Sequence, residues 1–446
     1  MTMHAELTGL PVDDTTLSKK SRGRSIAAGV AGNFIEFYEW TIYAYMAPIF
    51  ASQMFPSHDK AVSLFLAFST FALSYVARPL GAILFGSYSD RIGRRNAMAV
   101  AILTMGFCSL VIASTPNYAT IGMAAPLILI ASRLLQGVSA GGEAGSATAY
   151  LVEFAKPGRR ALAGSLQQVS TGLSTLSGLG TAALLTRQLS HADLEAWGWR
   201  IPFFVSVVLS LIGLYLRVKA EESPVFQGEA RESSRVGFSF SALASAWRPM
   251  LLVTALALFP TIAFLSWQIF LPTYITTTTG LPRSEALNIS LLSVLVFVIC
   301  VVPSAMLSDR FGRRPMMMIY AIASIVWAIP TYVGIPMYGA NYLYIVAIAV
   351  VGNIIVAVMA GSIVACMAEQ FDTAVRATGN GLSYAIAIVI SGASFPPVVT
   401  GLMANKHYMA ISLYVIGIAA VSLIAAWVMP ETRDRSLGGS EAIPPA

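Results

Sequence analysis

One ten-residue stretch occurs twice. Gly86-Ser87-Tyr88-Ser89-Asp90-Arg91-Ile92-Gly93-Arg94-Arg95 returns 219 residues later as Ala305-Met306-Leu307-Ser308-Asp309-Arg310-Phe311-Gly312-Arg313-Arg314. In each copy an apolar run ends in Asp-Arg-x-Gly-Arg-Arg and a second apolar run starts at once, so the motif reads as a polar hinge between two membrane-length helices. Arginines suit a helix C-terminus, which carries partial negative charge, and the lipid headgroups beside it. A lone carboxylate among them pairs or caps in one conformation of a moving protein. Gly86, Asp90, Arg91, Gly93 and Arg94, with Asp309 and Arg313, are therefore read as gating residues. A plain basic stop signal would need neither the Asp, the Gly nor the repeat. A second repeat supports the first: Glu153 precedes Arg160 by seven positions, and Glu369 precedes Arg376 likewise, 216 residues on.

The 446-residue chain is 56% hydrophobic and only 11% charged, against about 25% charged in soluble domains. Apolar runs cover 26–51, 61–87, 96–115, 121–151, 161–186, 198–217, 248–276, 285–308, 315–335, 341–368, 377–403 and 407–429. The expected fold is an all-α integral membrane protein of twelve helices in two six-helix halves. Its expected divisions are an N-terminal segment (1–25), a first bundle (26–217), a polar linker (218–247), a second bundle (248–429) and a tail (430–446). With the termini inside, 21 of the 28 Lys and Arg fall on the inner side. Lys60, Arg187, Arg200, Arg283 and Lys406 fall outside, and Arg78 and Arg133 lie within the membrane. That is the positive-inside pattern. It explains the net charge of +6 without nucleic acid. The basic cluster Lys19, Lys20, Arg22 and Arg24 leads into the first run without a cleavage site, so that run stays as a helix. Cys108, Cys300 and Cys366 lie in apolar runs at spacings that suit no metal or disulfide framework. With no Ser/His constellation either, neither an enzyme nor a cofactor or metal protein is expected.

Duplicated six-helix units are the architecture of one large class of secondary transporters. Asp90-Arg91-x-Gly-Arg-Arg resembles the signature loop of the major facilitator superfamily, and Arg133-x-x-x-Gly137-x-x-x-Gly141 its fourth-helix motif. Gly32-Asn33-Phe34-Ile35-Glu36-Phe37-Tyr38-Glu39, Ala77-Arg78-Pro79-Leu80-Gly81, Gln136-Gly137 with Gly141-Gly142-Glu143, Trp197-Gly198-Trp199-Arg200-Ile201-Pro202-Phe203 and Glu222-Ser223-Pro224-Val225-Phe226 together resemble the metabolite:proton symporters. The resemblance spans essentially the whole chain. It implies a bacterial inner-membrane importer of organic acids or zwitterionic osmolytes, coupled to protons.

Ionisable residues inside the bilayer cost about 2.5–3.5 kcal/mol each at a helix centre on insertion scales, so those retained call for a role. They are Glu36, Glu39, Arg78, Arg133 and Glu143, all in the first half. Glu36 and Arg78 fall near the midplane, where facilitator transporters bind substrate between rocking halves. Asn33, Glu36, Glu39 and Tyr43 share one face of the first helix. Gln136 and Glu143 share a face of the fourth, as do Gln167, Thr171, Ser174 and Gly178 of the fifth. The substrate-binding candidates are accordingly Arg78, Asn33, Tyr43, Gln136, Gln167, Thr171 and Trp267. Glu36, with Glu39 and Glu143 as alternatives, is the proton-coupling candidate. Arg133 reads equally well as a packing and carbonyl anchor near Gly137 and Gly141. Aromatic residues of the seventh run are more often packing than a substrate cage, and Pro260 and Pro272 mark kinks in it.

The expected function is proton-coupled uptake of a small carboxylate-bearing metabolite by a protein functional as a monomer, multi-pass in the bacterial inner membrane with both termini cytoplasmic. Uptake of a zwitterionic osmolyte, proton-driven export and a non-transporting receptor are the alternatives. An exporter is expected to carry a Gly-Pro motif in the fifth run, and Gln167 to Leu185 holds no proline.

Overall fold

Long apolar runs in a bilayer must satisfy their backbone hydrogen bonds internally, which for this composition means helices. The computed structural model describes residues 19–92, 94–141, 158–218, 245–339, 341–371 and 376–435. Twelve long helices occupy the twelve runs. They are α1 Lys19–Met54, α2 Lys60–Ile92, α3 Arg94–Ser114, α4 Ala124–Gly141, α5 Arg160–Gln188 and α6 Ile201–Val218. The second six are α7 Trp247–Thr279, α8 Arg283–Phe311, α9 Arg313–Tyr338, α10 Tyr342–Ala368, α11 Arg376–Ala404 and α12 Tyr408–Val428.

Two boundaries differ from the sequence reading. α1 is already helical at Lys19, the first described residue and ahead of the apolar run, and no proline between Lys19 and Arg24 interrupts it. The hinge is also tighter than expected. α8 runs through Asp309 and Arg310 to Phe311, and α9 restarts at Arg313 after the single residue Gly312. Gly312 has φ +105, a conformation costly for residues with a Cβ.

Close helix approach follows the small residues. A Cβ at Gly137 of α4 would lie 2.1 Å from the Ser74 carbonyl oxygen of α2, and one at Gly81 would lie 1.9 Å from that of Val138. The two glycines interlock α2 and α4 backbone to backbone.

Pro260 and Pro272 flank a π-helical segment, Leu265–Phe270, inside α7. Pro272 has no N–H to give to the Gln268 carbonyl four residues earlier, and the Tyr45 hydroxyl of α1 donates to that carbonyl instead. Pro336 likewise leaves the Tyr332 carbonyl without its helical donor, and the Tyr274 hydroxyl supplies one at 2.5 Å. Prolines thus open acceptors in the spans, and tyrosines from neighbouring helices fill them.

The halves meet along α2 with α11 and α5 with α8. A Cβ at Gly392 of α11 would press on the Tyr75 ring of α2, and one at Gly172 of α5 on Val298 of α8. At one end of this contact Asp309 of α8 accepts the backbone N–H groups of Ala161 and Leu162, both at 3.0 Å. Arg160 Nη1 lies 3.5 Å from Glu369 Oε1 of α10. At the other end the Arg283 guanidinium donates to the Tyr45 carbonyl.

Candidate functional site

Between the halves lies a cavity of about 90 Å³. The first half contributes Phe37 and Trp40 from α1, Tyr75 and Arg78 from α2, and Gln167, Gln168 and Thr171 from α5. The second contributes Thr261, Phe264 and Gln268 from α7, Asn380 and Tyr384 from α11, and apolar residues of α8 and α10. The walls are aromatic and amide, and among the described lining residues Arg78 is the sole charge.

Arg78 is 6% exposed and Glu36 5%. Arg78 Nη2 donates to Glu36 Oε1 at 2.6 Å. The guanidinium carbon sits 4.5 Å from the Trp40 ring centroid and 5.5 Å from that of Tyr75, so its charge is held by one carboxylate and two π-faces. Its Nε is buried with no partner among the described residues. A guanidinium does not lose its proton, so this site is a fixed cation whose anion can be exchanged.

The polar face of α1 points away from the cavity and into the first half. Asn33 Nδ2 donates to Thr171 Oγ1 at 3.0 Å and to the Gln167 carbonyl at 3.2 Å, tying α1 to α5. The Tyr43 hydroxyl donates to the Ala67 carbonyl at 3.0 Å. Glu39, 1% exposed, accepts from Ser206 at 2.5 Å and from Gln136 Nε2 at 2.9 Å. Gln136 Nε2 also reaches Ser109 at 3.1 Å, and its Oε1 accepts from Arg133 Nη1 at 2.7 Å. The Arg133 guanidinium sits against Tyr43, Trp40 and Phe71 at 4.4, 5.1 and 5.2 Å. Aromatic faces and an amide, rather than backbone carbonyls, hold it. The chain Arg133–Gln136–Glu39–Ser206 is buried beside the cavity without lining it.

Of the expected substrate contacts, Arg78, Gln167 and Thr171 line the cavity, whereas Asn33, Tyr43 and Gln136 brace the helices behind it. Trp267 packs on Gly352 of α10 and lines a separate small cavity within the second half. Gly137 meets α2, and Gly141 is the last described residue of α4. Residues Gly93, Glu143 and Glu153, and the side chains of Gly86, Asp90, Arg91, Arg94 and Arg376, lie outside the described part of the structure. Sequence reasoning missed Trp40, Tyr75, Gln268, Asn380 and Tyr384. Only Gln268 carried a signal, its place between two prolines of one span.

At the hinge of the second half, Arg313 is fully buried. Its Nε and Nη2 donate to both Glu369 oxygens at 3.1 and 3.0 Å, and its Nη1 donates to Asp309 at 2.9 Å. Glu431, just after α12, accepts the backbone N–H groups of Arg313 and Arg314 at 2.9 and 3.0 Å, capping α9. The Thr432 hydroxyl completes Glu369 at 2.7 Å.

The family model described as "Sugar (and other) transporter" matches residues 25–238 and again 229–443. The chain belongs to this family. The transporter is 35% identical to the inner membrane metabolite transport protein YhjE of Escherichia coli over 98% of its own length and 100% of that protein. It is 29% identical to the proline/betaine transporter of the same organism, with coverages of 96% and 86%, and 30% identical to the alpha-ketoglutarate permease, with coverages of 94% and 96%. Among solved structures, the xylose transporter XylE of E. coli in a partially occluded inward open conformation superposes with a TM-score of 0.73 at 17% identity, over 94% of this transporter and all of that chain. At that identity the likeness shows the fold, and the fold is that of a multi-pass membrane transporter, not an enzyme.

Proposed function

We propose that this transporter takes up a small carboxylate-bearing metabolite together with a proton, Arg78 holding the substrate's carboxylate and Glu36 carrying the proton. The observation that carries the reading is the buried 2.6 Å pair between Arg78, which lines the central cavity, and Glu36, which stands behind it. A buried guanidinium needs an anion, and two anions compete for it: Glu36 and the substrate. When a substrate carboxylate takes Arg78, Glu36 loses its counter-charge in a desolvated place, and its neutral, protonated form is favoured. Substrate and proton then load together. On release, Arg78 recaptures Glu36 as a carboxylate, and the proton leaves. A monocarboxylate carried with one proton is electroneutral and draws only on the pH gradient.

The proposal places the protein in a bacterial inner membrane, as a functional monomer, with both termini and the 218–247 linker in the cytoplasm; the distribution of basic residues supports this orientation. The Asp309 and Glu369 cluster then closes the cytoplasmic end, and Tyr45 with Arg283 the outer end. Glu39 is the second proton candidate. It has no cation within hydrogen-bonding distance among the described residues, since Gln136 stands between it and Arg133, so substrate binding at Arg78 has no direct way to change its charge. Uptake of a betaine-like osmolyte is the second substrate reading, favoured by the aromatic wall.

Transport in proteoliposomes with an imposed pH gradient tests the scheme. Glu36→Gln should still bind and exchange substrate but lose gradient-driven accumulation, and Arg78→Lys should lose binding, because an ammonium cannot reproduce the fork of the guanidinium. Normal accumulation by Glu36→Gln would rule out its role, and undiminished affinity in Arg78→Lys would take the arginine out of the site.

A further inference from the structure

Three cavity-lining side chains hold polar atoms that are buried and without a partner among the described residues: Nε of Arg78, Nε2 of Gln268 and Oδ1 of Asn380. Gln268 is 1% exposed and Asn380 3%. Among the described residues the side-chain amide of Gln268 makes one hydrogen bond, its Oε1 accepting from the Thr175 hydroxyl at 3.4 Å. Leaving a buried donor or acceptor unmade costs about 1–3 kcal/mol, so such atoms at a cavity wall mark what a ligand must bring. They come from both halves: Arg78 on α2, Gln268 in the π segment of α7 and Asn380 on α11.

From this arrangement we infer the substrate class: a hydroxylated monocarboxylate, its carboxylate on Arg78 and its hydroxyl groups on the amides of Gln268 and Asn380. The inference rests on the reading of Arg78 as the carboxylate site. Charge sets the number of carboxylates. Arg78 balances one anion, and with Glu36 protonated the loaded site is neutral. A second ionised carboxylate would meet no further cation among the described lining residues, and an unpaired buried charge is strongly disfavoured. The amides set the hydroxyls. An amide offers a donor at one end and an acceptor at the other, and a hydroxyl both donates and accepts, so it satisfies either end, which an alkyl chain cannot do. A quaternary ammonium would meet a fixed cation beside it: the Arg78 guanidinium already lies against Trp40 and Tyr75, which leaves such a ligand only the remaining aromatic residues of the wall.

The test measures equilibrium binding to the full chain in lipid nanodiscs with matched probes: D-gluconate against hexanoate and D-glucarate, quinate against cyclohexanecarboxylate, and glycine betaine. At least one hydroxy acid should bind roughly tenfold or more tightly than its deoxy partner, and D-glucarate roughly 100-fold more weakly than D-gluconate. Gln268→Ala and Asn380→Ala should each shrink the hydroxyl advantage, lowering affinity for the hydroxy acid more than for its deoxy partner. The inference is overturned if deoxy partners, D-glucarate or betaine bind as well as the hydroxy acids, if no probe binds, or if the advantage survives both substitutions. Proteoliposome transport separates it from the proton scheme. Selective binding without gradient-driven accumulation would remove the coupling and keep the substrate class. Gradient-driven accumulation of D-glucarate would do the reverse.

Discussion

The carboxylate of Asp309, near the C-terminal end of α8, accepts the backbone N–H of Ala161, in the first turn of α5, at 3.0 Å. A helix begins with four N–H groups that lack intrahelical partners. Here the acceptor comes from the opposite half, so this cap exists only while the halves are closed at that end. With its neighbour bond to Leu162 and its pair with Arg313, Asp309 joins the hinge of one half to the start of a helix in the other.

Asp309→Asn should therefore weaken closure at this end by about 1 kcal/mol, about a fivefold shift towards states open there. Turnover should fall while substrate affinity changes much less, because the cavity is untouched. Distances between spin labels on α5 and α8 report the shift. The repeat extends the expectation to Asp90→Asn. Lost binding with an unchanged distance distribution would show that Asp309 supports the site rather than the gate.

At the other end, the Tyr45 hydroxyl serves a carbonyl that Pro272 leaves open. Tyr45→Phe should strand the Gln268 carbonyl and favour outward opening, at about 1–3 kcal/mol for an unmet buried acceptor. Pro272→Ala gives that carbonyl an N–H of its own helix. The pair should be non-additive: Tyr45→Phe should cost less in the Pro272→Ala background than alone. Accessibility of a cysteine near Arg283 to a membrane-impermeant reagent measures the opening. Full additivity would break the link between the tyrosine and the proline.

Much of this architecture was open to reading from the chain. Twelve apolar runs of membrane length form twelve helices among the described residues, since a helix meets its backbone hydrogen bonds within one run, and the repeated Asp-Arg-x-Gly-Arg-Arg singles out Asp309, which bonds across the two halves. Arg78 and Glu36 stood out because charge is expensive at their depth. Other features have no sequence-local cause. Arg160 pairs with Glu369 of the opposite half, although each belongs to a seven-residue pattern within its own copy. Two copies of one unit packed face to face bring such groups together, and no spacing along the chain encodes that. Asn33, Glu36, Glu39 and Tyr43 share a face as the helical period demands. Whether that face meets the cavity or the bundle interior depends on the packing of α2, α4, α5 and α6, and it meets the interior. Asn380 is an ordinary amide in sequence and Gln268 is marked there only by its place between Pro260 and Pro272; their unmet atoms at a cavity wall appear only in the structure.

Backbone interlocking of α2 and α4 makes a stability prediction. A methyl group at Gly137 would stand 2.1 Å from a main-chain oxygen, which no side-chain rotation can relieve. Gly137→Ala should cost about 1–3 kcal/mol and lower the apparent melting temperature in detergent. Gly180→Ala serves as the control, because nothing lies within 4 Å of its would-be Cβ. Equal thermal stability of the two variants would contradict the close contact.

The last prediction concerns orientation. With both termini inside, the exposed residue Lys60, at the start of α2, faces the periplasm, and Arg231, in the polar linker, faces the cytoplasm. Basic residues are retained on the cytoplasmic side during insertion, and only this orientation gives the inner side 21 of the 28 Lys and Arg. In a cysteine-free background, Lys60→Cys should react in intact cells with a maleimide that crosses the outer membrane but not the inner. Arg231→Cys should react only after the inner membrane is opened. The converse pattern would invert the transporter, placing the Asp309 cluster at the periplasmic end and the Tyr45 contact at the cytoplasmic end. Labelling of both sites in intact cells would break the twelve-span path between them.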